Sequence, residues 1–268
     1  MADVRNFELN LTTRDGIAHR IKFVFDLSLE SHQHIYGCVA FKRLYEAGTS
    51  ALLIDALKPG DIFIDVGAHI GYFTLLTSSL VGPQGRVYSF EPEERNHAAL
   101  LNHLRINNTT NVLPYRWALG SGVGVTDLYI HPTMDGAHST WNIRPRLFPK
   151  DQDKITHTSV FATSLDAFFN GVYPTNIKAI KIDVEGFEME VLKGMQNLLN
   201  VVHVPVVVIE INETLLKECK TSEQEIRQMM TSRGYRTFAD EPETGKLIPL
   251  ELGQVFKNPY VYNLIFMR

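Results

Sequence analysis

The feature that most constrains this chain is a regular alternation of short apolar strands and helical segments that begins near residue 61. Runs rich in Val, Ile and Phe are each followed by a segment in which apolar residues recur at helical spacing. This alternation predicts a parallel sheet whose strands are joined by right-handed helical crossovers. The predicted strands span residues 61–66, 86–91, 111–118, 177–184, 204–211, 235–240 and 261–267, and the predicted helices span residues 72–81, 92–107, 187–199 and 221–232.

The last two predicted strands are joined without a helix long enough to cross over the sheet, so the seventh strand should run antiparallel to its neighbour. The expected fold class is α/β, with a Rossmann-like, seven-stranded mixed sheet that resembles the sheet of class I methyltransferases. Residues 1–60 are expected to form an N-terminal cap over the carboxyl edge of this sheet, and residues 61–268 the main domain. The expected cap consists of a hairpin, 7–12 with 21–26, and one helix over about 36–57.

The strongest local motif is the strand-to-helix turn that starts at Asp65 and contains two glycines. Ligands of open α/β sheets bind beyond the carboxyl ends of the strands. Gly67 and Gly71 would let the backbone approach such a ligand closely. The residues of this turn that are expected to bind a cofactor are Asp65, Gly67, Ala68, His69, Gly71, Tyr72 and Phe73.

The chemistry of this turn bears on which cofactor it can hold. A dinucleotide fingerprint has a third glycine and directs backbone amides at a diphosphate. The negative charge of Asp65 would repel a diphosphate at this turn. S-adenosylmethionine has no phosphate and carries an ammonium and a sulfonium, so nearby carboxylates attract it. Glu91 ends the second strand, where an acidic side chain can accept the ribose hydroxyls. Pro92, Trp117 and Ala118 would complete the site, with Trp117 either lying along the adenine or packed in the core.

A second acidic motif follows the fourth predicted strand. Asp183 ends that strand and is expected to face the methyl group across the cofactor site, whereas Glu185 would cap the next helix and Glu188 would lie on a solvated helix face. Glu210 ends the neighbouring fifth strand, so Asp183 and Glu210 could converge on one substrate hydroxyl or on one Mg²⁺ ion. Asn212 could add a third oxygen to a metal site, and hydrogen bonding to substrate or loops is the alternative.

The segment between the third and fourth strands holds two further predicted strands, 124–131 and 157–163, around a long polar loop. A loop of this length is expected to be functional and to lie over the active-site edge. His138 in this loop is a candidate general base, so the candidate catalytic residues are Asp183, Glu210 and His138. The loop also contains Trp141, Arg144 and Arg146, which suggest a polar or anionic acceptor, although the arginines could equally be solvated.

Charge and composition narrow the choice of partners. The chain has 26 basic and 30 acidic residues and a net charge of -4, which gives no general attraction to nucleic acid. Its 2 cysteines are too few for a disulfide framework and fit a reducing, cytoplasmic compartment. No stretch is long and apolar enough to predict a membrane span. The expected partner is a small molecule, and the sequence does not indicate an oligomeric state.

Four stretches together resemble the FkbM family of methyltransferases: residues 65–74, 90–92, 118–119 and 181–188. The resemblance covers roughly residues 55 to 240 and implies an S-adenosylmethionine-dependent enzyme. Members of this family typically methylate a hydroxyl of a polyketide, a sugar or a related secondary metabolite. His69 departs from the pattern, because the family usually has Asn at this position.

Three alternatives remain open at the level of sequence. A nicotinamide-dependent oxidoreductase shares the sheet and the ribose-binding acid, although the missing third glycine counts against it. A non-catalytic protein that binds the adenosyl group would show binding without turnover. Transfer to nitrogen is also compatible with the motifs, whereas converging acids favour a hydroxyl that must lose a proton.

Overall fold

The computed structural model describes residues 3–131, 154–241, 244, 246–254, 256 and 261–268. The chain begins with the predicted hairpin, and two helices follow it: β1 (Val4–Thr12), β2 (Ala18–Asp26), α1 (Glu30–Ala40) and α2 (Ala47–Ala56). The single helix predicted over 36–57 is therefore wrong. Lys42 and Glu46 have φ angles of 57° and 42°, which no helix continues through.

The remaining elements follow in an order close to the predicted one. The first group is β3 (Ile62–Val66), α3 (Tyr72–Val81), β4 (Arg86–Phe90), α4 (Glu94–Ile106), β5 (Val112–Tyr115), β6 (Ala118–Leu119), β7 (Gly124–Ile130), β8 (Thr156–Thr163) and α5 (Leu165–Phe169). The second group is β9 (Ile177–Ile182), α6 (Glu188–Lys193), α7 (Gln196–Val201), β10 (Val206–Ile211), α8 (Glu213–Glu218), α9 (Glu223–Thr231), β11 (Arg236–Asp240), β12 (Leu247–Leu250) and β13 (Tyr262–Met267). None of the helices in the described ranges is long and apolar enough to cross a bilayer.

The main sheet has the strand order β12-β11-β13-β10-β9-β3-β4-β5. The strands from β10 to β5 are parallel, and β13 runs antiparallel to both β10 and β11, as the missing crossover predicts. After β3 the chain adds β4 and β5 on one side of β3, and it later adds β9 on the other side of β3. The topological switch point therefore lies between β3 and β9, where ligands of such sheets bind.

Two details of the sheet differ from the prediction. An eighth strand, β12, pairs with the edge of β11; its sequence Leu-Ile-Pro-Leu contains a proline, which is tolerated at a sheet edge and hides a strand from pattern analysis. The predicted third strand is divided, because residues 112–115 join the main sheet whereas Ala118 and Leu119 pair with β8 in a separate three-stranded sheet. Trp117 thus lies between two strands and does not end the third one.

The two faces of the main sheet are covered by separate apolar clusters. Ile62, Ile64 and Val66 belong to the cluster that includes residues of α6, α7 and α9, whereas Phe63 belongs to the cluster formed with α2, α3 and the N-terminal hairpin. This alternation is the period of a strand that is buried on both faces. Asp65 lies on the same face as Phe63, toward α3.

The N-terminal segment is joined to the sheet by buried polar contacts as well as by this core. His103 of α4 is fully buried; its Nε2 accepts a hydrogen bond from the amide of Val24 at 2.9 Å, and its Nδ1 lies 2.8 Å from the carbonyl oxygen of Ile70. Burial lowers the pKa of His103, which favours the neutral ring with a proton on Nδ1. The division of the chain into 1–60 and 61–268 remains a prediction.

We expect His103→Leu to lower the free energy of unfolding by about 2 to 4 kcal/mol, because the Val24 amide and the Ile70 carbonyl would lose a buried partner. Urea unfolding measures this change. Arg105→Leu, on the exposed side of the same helix, is the matched control and should change stability by no more than about 0.5 kcal/mol. Equal changes in the two variants would show that His103 does not join the hairpin to α4.

Candidate active site

One cavity lies at the carboxyl ends of β3, β4, β9 and β10, beneath the connection between α1 and α2. It brings together most of the residues that the sequence singles out: Asp65, Gly67, Ala68, His69, Tyr72, Phe73, Glu91, Pro92, Trp117, Ala118, Asp183 and Glu210. Gly71 and Asn212 do not line it. His138, Trp141, Arg144 and Arg146 lie outside the described residues. The roles predicted for all of these side chains stay predictions.

The glycines of the turn are required by contacts within the protein. Gly67 has a φ angle of 81°, and a Cβ atom there would lie 1.7 Å from the carbonyl oxygen of Asp183. Gly71 has a φ angle of 90°, and a Cβ atom there would lie 2.4 Å from Leu100 of α4. The two glycines thus allow β3 to approach β9 and α3 to approach α4, and a close approach to a ligand stays a prediction.

Three consecutive backbone amides at the start of the turn are already hydrogen-bonded. The amides of Gly67 and Ala68 donate to the carbonyl oxygen of Phe90 at 2.9 and 3.0 Å. The amide of His69 donates to Glu91 Oε2 at 2.8 Å. A diphosphate needs such amides to point at its oxygens, so this turn does not offer the usual cradle of a dinucleotide fold.

Two buried acids flank this turn. Thr74 Oγ1 of α3 donates to Asp65 Oδ2 at 2.5 Å, and burial raises the pKa of Asp65 to about 6. Glu91 also accepts from the amide of Glu93 at 2.9 Å, and burial raises the pKa of Glu91 to about 7. Each carboxylate oxygen can accept more than one hydrogen bond, so Glu91 keeps acceptor capacity toward the cavity.

Trp117 closes another side of the cavity and belongs to an aromatic cluster. Its ring centroid lies 4.8 Å from that of Tyr115 and 5.1 Å from that of Phe161. Phe168 contacts Trp117 and Phe90 at centroid distances of 6.0 and 5.2 Å. Trp117 therefore packs with aromatic neighbours and also lines the cavity, and its contact with the adenine stays a prediction.

A buried lysine lies at the centre of the acidic side. Lys181 is 2% exposed, and its Nζ lies 2.7 Å from Asp183 Oδ2 and 3.7 Å from Glu46 Oε1. The same ammonium lies 4.8 Å from the centre of the Phe73 ring. Among the residues that the structure describes, Lys181 is the one lysine or arginine that lines the cavity.

The pKa values of the acids follow from burial and from this ammonium. Burial raises the pKa of Asp183, but the charge of Lys181 together with the hydrogen bonds from Glu210 and Lys181 outweighs burial, and the pKa of Asp183 lies below its ordinary value. Burial and the charge of Asp183 hold the pKa values of Glu185 and Glu210 well above their ordinary range. Glu210 is hydrogen-bonded to Asp183, and of these two carboxyl groups Glu210 is the one whose surroundings favour the protonated form.

The structure gives three polar residues contacts that the sequence did not indicate. Asn212 Oδ1 accepts from the amide of Leu215 at 3.3 Å and caps α8, so it does not join Asp183 and Glu210. Glu185 does: one ligand atom from each of the three acids lies within 4.8 Å of the others. Glu188, expected on a solvated face, is 1% exposed, and its Oε1 accepts from the amide of Gly186 at 3.0 Å. Glu188 thus holds the turn before α6.

Sequence reasoning missed the residues contributed by the N-terminal segment and by the interior of β9. Tyr45 and Glu46 line the cavity from the connection between α1 and α2, and Asn263 Nδ2 of β13 donates to Glu46 Oε2 at 2.6 Å. No local pattern marks these contacts. Lys181 could have been found, because residues two apart on a strand share a face, which places Lys181 beside Asp183.

The strand order, the reversed β13 and the acidic cavity at the switch point define a class I methyltransferase fold. The sequence matches the Methyltransferase FkbM domain over residues 65–237. The chain belongs to the FkbM family of methyltransferases.

The sequence identity to individual relatives is low. Hexuronic acid methyltransferase AglP of Haloferax volcanii is 30% identical over 159 residues, which are 59% of either chain. Methyltransferase 1 of Beauveria bassiana is 27% identical over 151 residues, 52% of this chain and 60% of that one. The chain thus matches about three fifths of the length of these relatives. A solved FkbM methyltransferase from Methylobacillus flagellatus has a TM-score of 0.47 at 16% identity, covering 90% of this chain and 56% of that chain.

The buried acids predict an unusual dependence of stability on pH. Burial raises the pKa of Glu188 to about 7, so between its ordinary value of 4.5 and about 7 the folded protein holds a proton that the unfolded chain has released. Stability should therefore be greatest below pH 4.5 with respect to this group and fall as the pH rises through about 7. Asp65 and Glu91 contribute in the same direction.

We expect Glu188→Gln to reduce the loss of stability between about pH 5 and about pH 8, measured by urea unfolding at each pH. Glu190→Gln is the control, because its hydrogen bonds to Lys193 and Ser121 lower the pKa of Glu190 and place its titration below this window. A loss of stability that is unchanged in Glu188→Gln would contradict the assignment.

Proposed function

We propose that this protein is an S-adenosylmethionine-dependent O-methyltransferase that acts on a hydroxyl of a small molecule, such as a natural product, a polyketide or a sugar. The observation that carries the proposal is the acidic cavity at the switch point. Among its described residues this cavity contains one ammonium and several carboxyl groups, and amides of the glycine turn are already hydrogen-bonded within the protein. A ligand that carries positive charge and no phosphate fits these surroundings.

The residues present fit the parts of S-adenosylmethionine. Glu91 has acceptor capacity for the ribose hydroxyls, and Trp117 offers a flat apolar surface to the adenine. The carboxylates of Glu46 and Asp183 would stabilise the ammonium and the sulfonium. When bound, the cofactor supplies a methyl group on positively charged sulfur, which is an electrophile for an oxygen lone pair.

The chain's own contribution to the reaction is to orient the acceptor hydroxyl and to take its proton. Lys181 and the hydrogen bond from Glu210 favour the ionised form of Asp183, so Asp183 can accept a hydrogen bond from the hydroxyl and receive its proton as the oxygen becomes an ether. Glu210, protonated, would orient Asp183 through their hydrogen bond. Such general-base assistance contributes about 10²- to 10⁴-fold, and exclusion of water by Tyr45, Phe73 and Trp117 supports the rest.

This mechanism does not require Mg²⁺. The ammonium of Lys181 lies at hydrogen-bonding distance from Asp183 and already supplies the positive charge that a cation would bring. The predicted ligand Asn212 is occupied as a helix cap. We therefore propose that turnover persists in the presence of a chelator.

One relative and the charge of the cavity bear on the chemical class of the acceptor. One relative is named a hexuronic acid methyltransferase, which makes carbohydrates the first acceptors to test. The excess of acid around Asp183 and Glu210 disfavours an acceptor that places a carboxylate there and favours a neutral hydroxyl. Transfer to nitrogen remains an alternative that the position of the new methyl group decides. A cytoplasmic location and a role in secondary metabolism remain predictions of the sequence.

We expect S-adenosylhomocysteine to bind at micromolar concentration in calorimetry and NADH not to bind in a fluorescence titration. Glu91→Gln should weaken S-adenosylhomocysteine by about 10- to 100-fold, because the ribose hydroxyls would lose a charged acceptor. Affinity in the unaltered protein should increase as the pH rises through about 7, where Glu91 ionises. Glu94→Gln is the control, since the side chain of Glu94 is 82% exposed. An unaltered protein that binds only NADH would overturn the proposal.

We expect Asp183→Asn to reduce turnover by at least about 100-fold while weakening S-adenosylhomocysteine less than Glu91→Gln does, because Asn cannot take the proton. Turnover is measured by mass spectrometry as the gain of one methyl group across a panel of hydroxylated metabolites. Thermal unfolding shows whether the variant is folded. Unchanged turnover in a folded Asp183→Asn variant would refute the role of Asp183, and cofactor binding without turnover on any acceptor would favour a non-catalytic protein.

A further inference from the structure

A chain of buried hydrogen bonds leads from the end of β11 to the acidic side of the cavity. Asp240 Oδ2 accepts from the backbone amide of Thr49 at 2.8 Å and from its hydroxyl at 3.0 Å. Asn263 Nδ2 donates to Thr49 Oγ1 at 2.9 Å and to Glu46 Oε2 at 2.6 Å. Thr49 is fully buried, and Asp240 and Asn263 are each 6% exposed. The chain therefore joins β11 and β13 to Glu46.

The direction of each hydrogen bond in this chain follows from its partners. Thr49 donates its hydroxyl proton to Asp240, so Thr49 Oγ1 acts as an acceptor toward Asn263. Asn263 must then turn its NH₂ group toward Thr49 and Glu46, because its carbonyl oxygen could only accept. The pairing of β10 with β13 places Asn263 opposite Glu210, at the level of the cavity. Asn263 thus presents a donor to Glu46, which favours the ionised carboxylate.

The same chain leaves the Glu46 side chain available to the cavity. Glu46 is the N-cap residue of α2, a position whose side chain ordinarily accepts from an amide in the first turn of the helix. Here Asp240 of another strand accepts from the Thr49 amide, and Glu46 makes no side-chain cap. A Cβ atom at Gly48 would lie 1.9 Å from Asp240 Oδ1, so the first turn of α2 lies directly against this acid.

The position of Glu46 determines how the charge of Lys181 is shared. The ammonium lies 3.7 Å from Glu46 Oε1 and 2.7 Å from Asp183 Oδ2. Each of two carboxylates that share one ammonium is stabilised less than a carboxylate that has the ammonium to itself. Burial raises the pKa of Glu46, although Lys181 and the hydrogen bond from Asn263 oppose this. Without Glu46, Lys181 would lower the pKa of Asp183 further and make Asp183 a weaker base.

We propose that Asn263, held by Thr49 and Asp240, is a positioning residue for methyl transfer, which keeps the Glu46 carboxylate against Lys181 so that Glu46 and Asp183 share the ammonium. Asn263 is not among the residues that line the cavity, and it acts through Glu46. This inference rests on the proposed function, because it concerns the residue that takes the proton of the acceptor.

Several other titratable groups face Glu46 and Asp183, from the glycine turn, β9, β10, β11 and the connection between α1 and α2. They are His69, Lys181, Glu185, Glu210, Asp240 and Tyr45. All of them keep their identity in variants of Asn263 and Thr49. A change in the titration of Asp183 in such variants therefore reports on the hydrogen-bond chain.

The test uses variants that break the chain at two places. Asn263→Leu removes both N–H donors at similar size, and Thr49→Val removes the hydroxyl at the same shape. Thr49→Ser keeps the hydroxyl and serves as the conservative variant. Asn111→Leu is the matched control, because Asn111 is 7% exposed and donates to the carbonyl oxygens of Ser78 and Gly82, away from the cavity. Thermal unfolding shows which variants are folded.

Two measurements are made on the full chain. The titration of the Asp183 carboxyl carbon is followed by ¹³C NMR, with the signal assigned by its loss in Asp183→Asn, and this measurement needs no acceptor. The pH dependence of kcat is measured with an acceptor from the metabolite panel. In Asn263→Leu we expect the pKa of Asp183 to fall, the acidic limb of kcat to move to lower pH and turnover at about pH 7 to fall about 3- to 10-fold.

Thr49→Val should shift both curves in the same direction by a smaller amount, whereas Thr49→Ser and Asn111→Leu should titrate like the unaltered protein. If Asn263→Leu does not fold, the pair Thr49→Val and Thr49→Ser decides. An unchanged or raised pKa of Asp183 in the folded variants, or an equal shift in Asn111→Leu, overturns the inference even where turnover falls, because a loosened site lowers turnover without moving the titration. An unaltered protein that methylates no acceptor contradicts the proposed function instead, and the NMR titration still decides whether Asn263 acts on Asp183.

Discussion

The site depends on the ammonium of Lys181, which is buried between acids contributed by different parts of the chain. It lies within β9, pairs with Asp183 at the end of the same strand and reaches Glu46 in the connection between α1 and α2. A charge buried in this way must be paired, because removing one partner leaves an uncompensated ion. Asn263 of β13 holds Glu46 in turn. The strands β9 and β13 and the N-terminal segment therefore share one electrostatic arrangement.

In this arrangement the N-terminal segment covers the sheet and also supplies residues to the site. Its hairpin packs on α3 and α4 through the same apolar cluster as the sheet, and the polar contacts of His103 fix its position. Once the hairpin is fixed, α1 and α2 bring Ser31, Tyr45 and Glu46 to the cavity. Residues far apart in the sequence thus meet because of ordinary core packing, and the site acquires groups that the glycine turn alone does not supply.

The fold could be predicted from the sequence because the repeats of apolar residues that indicate strands and helices are local features of the chain. Strand and helix repeats indicate the parallel sheet, the absence of a final crossover indicates the reversed β13, and the glycine turn with Glu91 locates the cavity. The errors have local causes as well. A cap signal at Asn212 goes unrecognised before α8, and the proline in β12 conceals an edge strand.

The contacts that pattern analysis could not supply are those between distant segments. Glu46 has no apolar period or motif around it, and its position opposite Lys181 follows only from how α2 packs on the sheet. Glu188 has a polar side chain in the first turn of a helix, which usually indicates exposure, yet the tight turn at Gly186 draws it inside. Burial of charge is set by tertiary structure, which a single sequence does not reveal.

The buried acids make the ionised cavity energetically unfavourable, and they also determine the charge of the ligand that the cavity favours. Desolvation raises the pKa values of Asp65, Glu91 and Glu210, so their ionised forms are unfavourable in a cavity that holds only one lysine among its described residues. A ligand that brings positive charge relieves this cost, whereas one that brings phosphate adds to it. Perturbed acids that gather in one cleft are typical of functional sites. The proposed preference for a sulfonium cofactor would thus follow from where the fold buries its carboxyl groups.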